Sequence, residues 1–230
     1  MATARPHSPA PARRAITPSK GSTQLPACDV DAPTTPRQPQ QERGERRVCA
    51  ILDAAASLIA ELGAEGLTVQ ALAERAQTSK GSLYHFFPDL PSVLRALGER
   101  HAERITELTD RMIADRSIDW ASLSVEETVS HFMAPLAYLA AHPDLLALAR
   151  TPVSASKGTR RLAPIRKLAD HLLHRRYPTL SPRQRATSAS TMVAVMDGVV
   201  GFSLRSSDAE AKAMLSELRK VLASYLRTLD

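Results

Sequence analysis

Only two cysteines occur in the 230 residues, Cys28 and Cys49, and their spacing matches neither a disulfide framework nor a zinc site. Unpaired thiols suit a reducing cytoplasm. Aromatic residues make up only 4% of the chain while alanine and leucine abound. Those two side chains lose little freedom in a helix, so an all-α protein is expected rather than a sheet protein. No apolar run approaches the roughly eighteen residues of a membrane span. The longest, MAPLAYLAA, is short and carries Pro135. Binding to a membrane surface lacks its usual vehicle, a basic amphipathic helix with aromatic anchors. A glycine-rich phosphate loop, a nucleophile elbow and a convincing acid–base pair are also missing, so neither an enzyme nor a cofactor is expected. HLLH sets His171 and His174 on one helical face, but Arg175 and Arg176 beside them repel a cation. No third ligand is near, and no metal is expected.

What is present begins with charge. The formal net charge is +6 and the pI near 9.7, which favours an anionic partner. The excess is uneven. Residues 1–40 carry five basic groups against two acidic ones, whereas residues 41–98 carry six against seven. If the second stretch binds nucleic acid, a few well-placed contacts must do it.

Residues 1–40 hold eight of the sixteen prolines and too little apolar area to offset the entropy of ordering, so they are expected to form a disordered basic tail. Order is expected after Gly44, where Val48, Ile51, Leu52, Ala55, Ile59 and Leu62 recur at helical spacing up to Gly63. Thr68 can cap a second short helix, and Gln77 and Thr78 connect it to a third, from Ser79 to about Phe86. Pro88 ends that helix, and Asp89 can cap a fourth with Pro91 in its first turn. Residues 41–98 thus read as a compact head with a helix-turn-helix, whose second helix enters the major groove of DNA. Residues 99–230 read as a larger helical bundle, with periodic segments at about 92–115, 124–141, 143–150, 160–176, 182–204 and 208–228. Ser124, Ser181 and Ser207 are its expected caps.

The third helix is too polar to be purely structural. Lys80, Ser82, Tyr84 and His85 crowd it, while Leu83 and Phe86 can anchor it inward. Gly81 costs roughly 1 kcal/mol in a helix relative to alanine, a cost that makes sense where a side chain would block close approach to DNA. Arg46 and Arg47, at the start of helix one, can reach a phosphate or the minor groove. Thr68, at a helix N-terminus, can offer its hydroxyl and N–H to another phosphate.

The stretch GLTVQALAERAQTSKGSLYHFFPDL, and SKGSLYHFFP above all, resembles the DNA-binding head of the TetR family of transcriptional repressors; the resemblance is strong from about 47 to 97. It implies an N-terminal three-helix helix-turn-helix head joined to a larger C-terminal helical domain for ligand binding and dimerisation. It also implies that Tyr84 and His85 contact phosphates and that Ser79, Lys80 and Ser82 read or flank bases; together with Arg47, Thr68 and Gly81, these are the expected DNA-binding residues. Two departures stand out. A glycine is usual in the turn where this chain has Gln77, so a left-handed backbone there costs about 1 kcal/mol. PDLP also replaces the pattern that often supplies a lysine to the fourth helix.

The implied function is a cytoplasmic, homodimeric transcriptional repressor, released from a double-stranded DNA operator by a small hydrophobic ligand. Trp120, Phe132, Met133, Tyr138, Met192 and Met196 are candidates to line the pocket, although bulky residues at helical spacing are more often plain core. Gly198, Gly201, Leu218 and Leu222 are candidates for the dimer interface, and Leu215, Leu218, Leu222 and Leu226 give the last helix a stripe to bury. The alternative is a helix-turn-helix architectural or scaffold protein without a ligand.

Overall fold

The computed structural model describes residues 39–151 and 162–230. Among them every regular element is helical: α1 (Pro39–Leu62), a 3-10 turn (Ala64–Gly66), α2 (Val69–Arg75), α3 (Lys80–Phe86), α4 (Leu90–Ala114), α5 (Val125–Met133), α6 (Pro135–Ala141), α7 (Pro143–Ala149), α8 (Ala163–Arg176), α9 (Pro182–Ser203) and α10 (Asp208–Arg227). The fold is all-α, as the composition led us to expect. The expected tail falls outside the described residues, save that Pro39 and Gln40 already belong to α1.

Local chemistry sets most of the boundaries. Thr68 Oγ1 accepts from Ala71 N–H at 3.2 Å, and Ser79 Oγ accepts from Ser82 N–H at 3.1 Å. Asp89 and Ser92 form a reciprocal capping box at the start of α4. Ser124 with Glu127, Ser181 with Gln184 and Ser207 with Glu210 do the same for α5, α9 and α10.

Three expectations are corrected. Helix one starts before Gly44 and not after it, because a glycine weakens a helix without ending it; a Cβ at Gly44 would lie 4.0 Å from Phe86 Cε1, so these first turns rest on α3. The segment expected at 124–141 breaks into α5 and α6 at Pro135, which has no N–H to continue the ladder. Cys49, expected as a free thiol, is disulfide-bonded; the chain's other cysteine, Cys28, lies outside the described residues.

Two apolar cores organise the chain. The first gathers Ile51, Leu52, Ala55, Leu58 and Ile59 of α1, Leu72 of α2, Leu83 of α3, and Val93 and Leu97 of α4. It also takes Leu148 from α7, which packs along α1. The second is built from α5, α8, α9 and α10, around Phe132, Leu168, Leu172, Met192, Leu218 and Leu222.

Helix α4 runs from one core to the other and is tied down at two consecutive residues. Arg100 pairs with Asp53 and donates to the Leu52 carbonyl, both on α1. His101, buried, sets Nε2 at 2.7 Å from Asp144 Oδ2 and Nδ1 at 2.9 Å from the Tyr138 hydroxyl. The ring of His142 stacks on Tyr138 at 3.9 Å. These contacts hold α1, α4, α6 and α7 together, and so fix the platform that carries α2 and α3.

No single described helix is long and apolar enough to cross a membrane; Val125–Ala141 and Pro143–Ala149 reach the length only as a pair, bent by 97°.

Candidate nucleic-acid interface

The short helix α3 is a scaffold for side chains that leave the protein. Leu83 is buried at 2% exposure and Phe87 follows as its C-cap, so this side of the helix is pinned into the first core. The opposite side carries Lys80, Gly81, Tyr84 and His85, all exposed. Residues four apart share a helical face, so these four form two adjacent rows. Ser79 is exposed and Ser82 half-buried, with the Ser79 hydroxyl holding the Ser82 N–H. The His85 ring rests edge-on against Phe86 at 5.0 Å.

Gly81 is not demanded by internal packing. A Cβ there would meet only Ser79 Oγ, at an ordinary 3.9 Å. What the glycine preserves is therefore space outside the protein. Tyr84, at 50% exposure, is with Leu62 one of two exposed large apolar side chains among the described residues of the head. An exposed phenol beside Lys80 and His85 offers hydroxyl and N–H donors to anionic oxygens.

The turn between α2 and α3 bears out the departure at Gln77, which has φ +49°, the only positive value among the described non-glycine residues. Its carbonyl accepts from Arg47 Nη1 at 3.5 Å. Arg47, expected at the DNA, thus also braces this turn from α1. Thr68 is exposed, with its hydroxyl engaged in capping α2. On the far side of α2, Arg75 makes a two-pronged pair with Glu61, 2.8 Å on each oxygen, and donates to Ser57 Oγ. The hydrogen bonds from Arg75 and Ser57 pull the Glu61 carboxyl down to about 2. That pair fixes α2 against α1, and so the angle at which α3 is presented.

Arg43 was missed. It is exposed on the first turns of α1, which sequence reading began only after Gly44. Arg46, one turn on, bonds Glu42 at 3.4 Å.

The pocket candidates separate into two places. Trp120, Phe132, Met133, Met192 and Met196 share the second core, all at most 4% exposed. Tyr138 does not join them and sits beside His101 and His142. Of the interface candidates, Leu218 and Leu222 are buried within the second core, whereas Gly198 is exposed and open around its Cα. Gly201, half-buried, is likewise open. The exposed large apolar residues of these two helices are Phe202 at 63% on α9 and Val221 at 51% on α10. Among the described residues no group of three or more metal-binding side chains occurs; His174 Nδ1 instead meets Arg185 at 3.2 Å.

This arrangement matches known proteins in both halves. Residues 51–97 fit the family model described as bacterial regulatory proteins, tetR family, and residues 124–226 fit one described as tetracyclin repressor-like, C-terminal domain. Over 72 residues the chain is 39% identical to the HTH-type transcriptional repressor KstR of Mycolicibacterium smegmatis; the match covers 31% of this chain and about a third, 33%, of that relative. Among solved structures, a TetR-family transcriptional regulator from Streptomyces coelicolor superposes with a TM-score of 0.54 at 27% identity, over 80% of this chain and 99% of its own. The fold is shared by the transcriptional regulator FadR from Bacillus subtilis in complex with stearoyl-CoA, with a TM-score of 0.57 at 17% identity over 76% and 97% of the two chains. The chain belongs to the TetR family of bacterial regulatory proteins.

Proposed function

We propose that this chain is a homodimeric transcriptional repressor that grips an operator with paired α3 helices and lets go when a small, mainly hydrophobic molecule enters its C-terminal half. The observation that carries the DNA reading is the outer face of α3, where Lys80, Tyr84 and His85 stand exposed around a glycine that nothing inside the protein requires. Ser79, Ser82, Thr68 and Arg47 flank that face and are assigned to the same interface. Because the head carries no excess of basic charge, affinity rests on these few groups. DNA is the target, so the cytoplasm is the assigned compartment.

The dimer reading is supported by the open glycines Gly198 and Gly201 of α9, next to exposed Phe202, and by exposed Val221 on α10. Isolated exposed apolar side chains are ordinary, but two on adjacent helices, with open glycines on one of them, suit a close-packed helical interface. Ligand control is supported by the apolar, methionine-rich second core, and by the stearoyl-CoA complex of the FadR relative. A ligand releases DNA only if it binds the non-DNA form more tightly.

The test is selection of duplexes from a random pool by the full chain. A roughly palindromic site should be enriched, and Lys80→Ala and Tyr84→Ala should each weaken binding to it about tenfold, near 1.4 kcal/mol, with circular dichroism and dimerisation unchanged. Affinity should fall steeply with salt, the slope counting phosphate contacts. A pool that yields no enriched site defeats the reading.

A further inference from the structure

Among the described residues, two buried side-chain polar atoms lack any hydrogen-bond partner: Nε1 of Trp120 and Oγ1 of Thr128. Their residues are 3% and 1% exposed. Protein interiors pair the large majority of such groups, and an unpaired one costs stability. Two orphans in one small region therefore call for an explanation.

They belong to one neighbourhood. Thr128 and His131 stand three apart on α5 and so share a helical face. The His131 ring meets the Trp120 indole edge-on at 5.3 Å, and His171 of α8 meets the same indole edge-on at 5.9 Å. The indole is thus flanked by imidazoles from two helices that pack together. Both histidines are half-buried, so the cluster runs from the interior to the surface. Burial and then the charge of Arg175 hold the His171 pKa below its ordinary value, which keeps that ring uncharged. On the inner side the same core supplies Phe132, Met133, Met192 and Met196. Methionine is unbranched and pliant, the side chain best able to yield to an incoming molecule.

We propose that Trp120, Thr128, His131 and His171 form the polar end of a ligand site that takes an amphipathic molecule bearing an uncharged carbonyl, such as an ester, amide, ketone or lactone. The proposal rests on the reading of the C-terminal half as ligand-binding. The chemical class follows from the donors. An indole N–H can only donate, so the ligand must bring an acceptor, and the Thr128 hydroxyl can donate to it as well. A carboxylate is disfavoured, because ionised groups are costly to bury unless paired and the two donors, the Trp120 indole and the Thr128 hydroxyl, are uncharged. The apolar remainder of the molecule lies among the methionines.

Trp120 is the only tryptophan of the chain, so its fluorescence reports this site alone. The full chain is titrated with methyl esters of C6 to C12 fatty acids, with the matching carboxylates, and with 1-chloroalkanes of equal length that lack a strong acceptor. At the best chain length the ester should shift Trp120 emission saturably and bind about tenfold more tightly than the chloroalkane, as expected for one good buried hydrogen bond. Calorimetry on Trp120→Phe and Thr128→Val should show that preference reduced to about twofold or less, with chloroalkane binding retained. If Trp120→Phe does not fold, the near-isosteric Thr128→Val carries the comparison. No saturable ester binding at any length, equal affinity for ester and chloroalkane, tighter binding of the carboxylate, or an ester preference untouched in the variants would each overturn the site. Release of the selected duplex is measured in parallel. Esters that bind with the expected preference yet never release DNA would remove ligand control while leaving the site, and release unaltered in both variants would do the opposite.

Discussion

The buried polar groups where α4 meets α6 and α7 are paired atom by atom, whereas those around Trp120 are not. His101 uses both ring nitrogens, on Asp144 and on Tyr138, and His142 Nδ1 meets the Tyr138 carbonyl at 2.7 Å. Trp120 and Thr128 are as deeply buried and have no partner for Nε1 or Oγ1. A fully satisfied network specifies one geometry, and here it locks the helix that leaves the head to the helix that packs on α1. An unsatisfied pair lowers stability without fixing anything in the folded chain. Departures from local consistency of this kind belong at functional sites, which is why the seam reads as a joint and the Trp120 cluster as a place for a ligand.

The largest break in the comparison should come at the seam. Asp144→Ala would leave His101 buried without its acceptor, and removing one partner of a buried pair costs about 3 kcal/mol or more. Urea titration should show that loss, and because Leu148 of α7 belongs to the first core, operator affinity should fall with it. A loss below about 1 kcal/mol, the level of an exposed pair, would mean that the seam is not a joint.

Acid should separate the two regions next. Burial works against the Asp144 charge, but the His101 hydrogen bond and its electrostatic pull, with backbone N–H groups, outweigh it and lower the pKa. A carboxyl lowered in the folded state contributes stability above its unfolded value, about 3.9, and loses it as pH falls through the folded value. His171 is also lowered, so the folded chain binds fewer protons there than the unfolded chain. Its stabilising effect is complete above about pH 6.5 and fades as pH drops through the lowered value. His171→Gln should therefore flatten the stability curve just below pH 6.5, and Asp144→Asn only below about pH 4. Identical acid limbs in both variants would erase the distinction.

Much of this was legible in the sequence because it is local. Caps at Thr68, Asp89, Ser124, Ser181 and Ser207 announce helix starts through chemistry confined to three residues. The outer face of α3 follows from the four-residue spacing of Lys80 with Tyr84 and Gly81 with His85, once Leu83 is turned inward. Gln77 stood out as the wrong residue for a left-handed turn, and it adopts that conformation. Gln77→Gly should consequently stabilise the head by about 0.5–1 kcal/mol, measured by thermal unfolding, while the Arg47 bond survives because it is made to the backbone. What was not legible is long-range. His101 and Asp144 are 43 residues apart, and nothing around Leu148 announces that it joins the core of the head. Trp120 could be picked out as bulky and apolar, but its unpaired N–H depends on what other helices fail to offer it.

The finest test compares two hydroxyls, each removed with almost no change of shape. Tyr138→Phe takes away the group that meets His101 Nδ1 and leaves a half-buried ring otherwise intact, so it should cost about 1 kcal/mol, the net worth of a typical intramolecular hydrogen bond. Thr128→Val removes a hydroxyl that is 1% exposed by residue and bonded to nothing. The methyl that replaces it needs no partner, so the folded state no longer carries the desolvation cost of an unmade bond, and stability should rise by up to about 1 kcal/mol. Opposite signs in paired urea titrations would sharpen the contrast between joint and site. A loss in both would show that Thr128 has found a partner such as a bound water, and would place the two clusters under one rule.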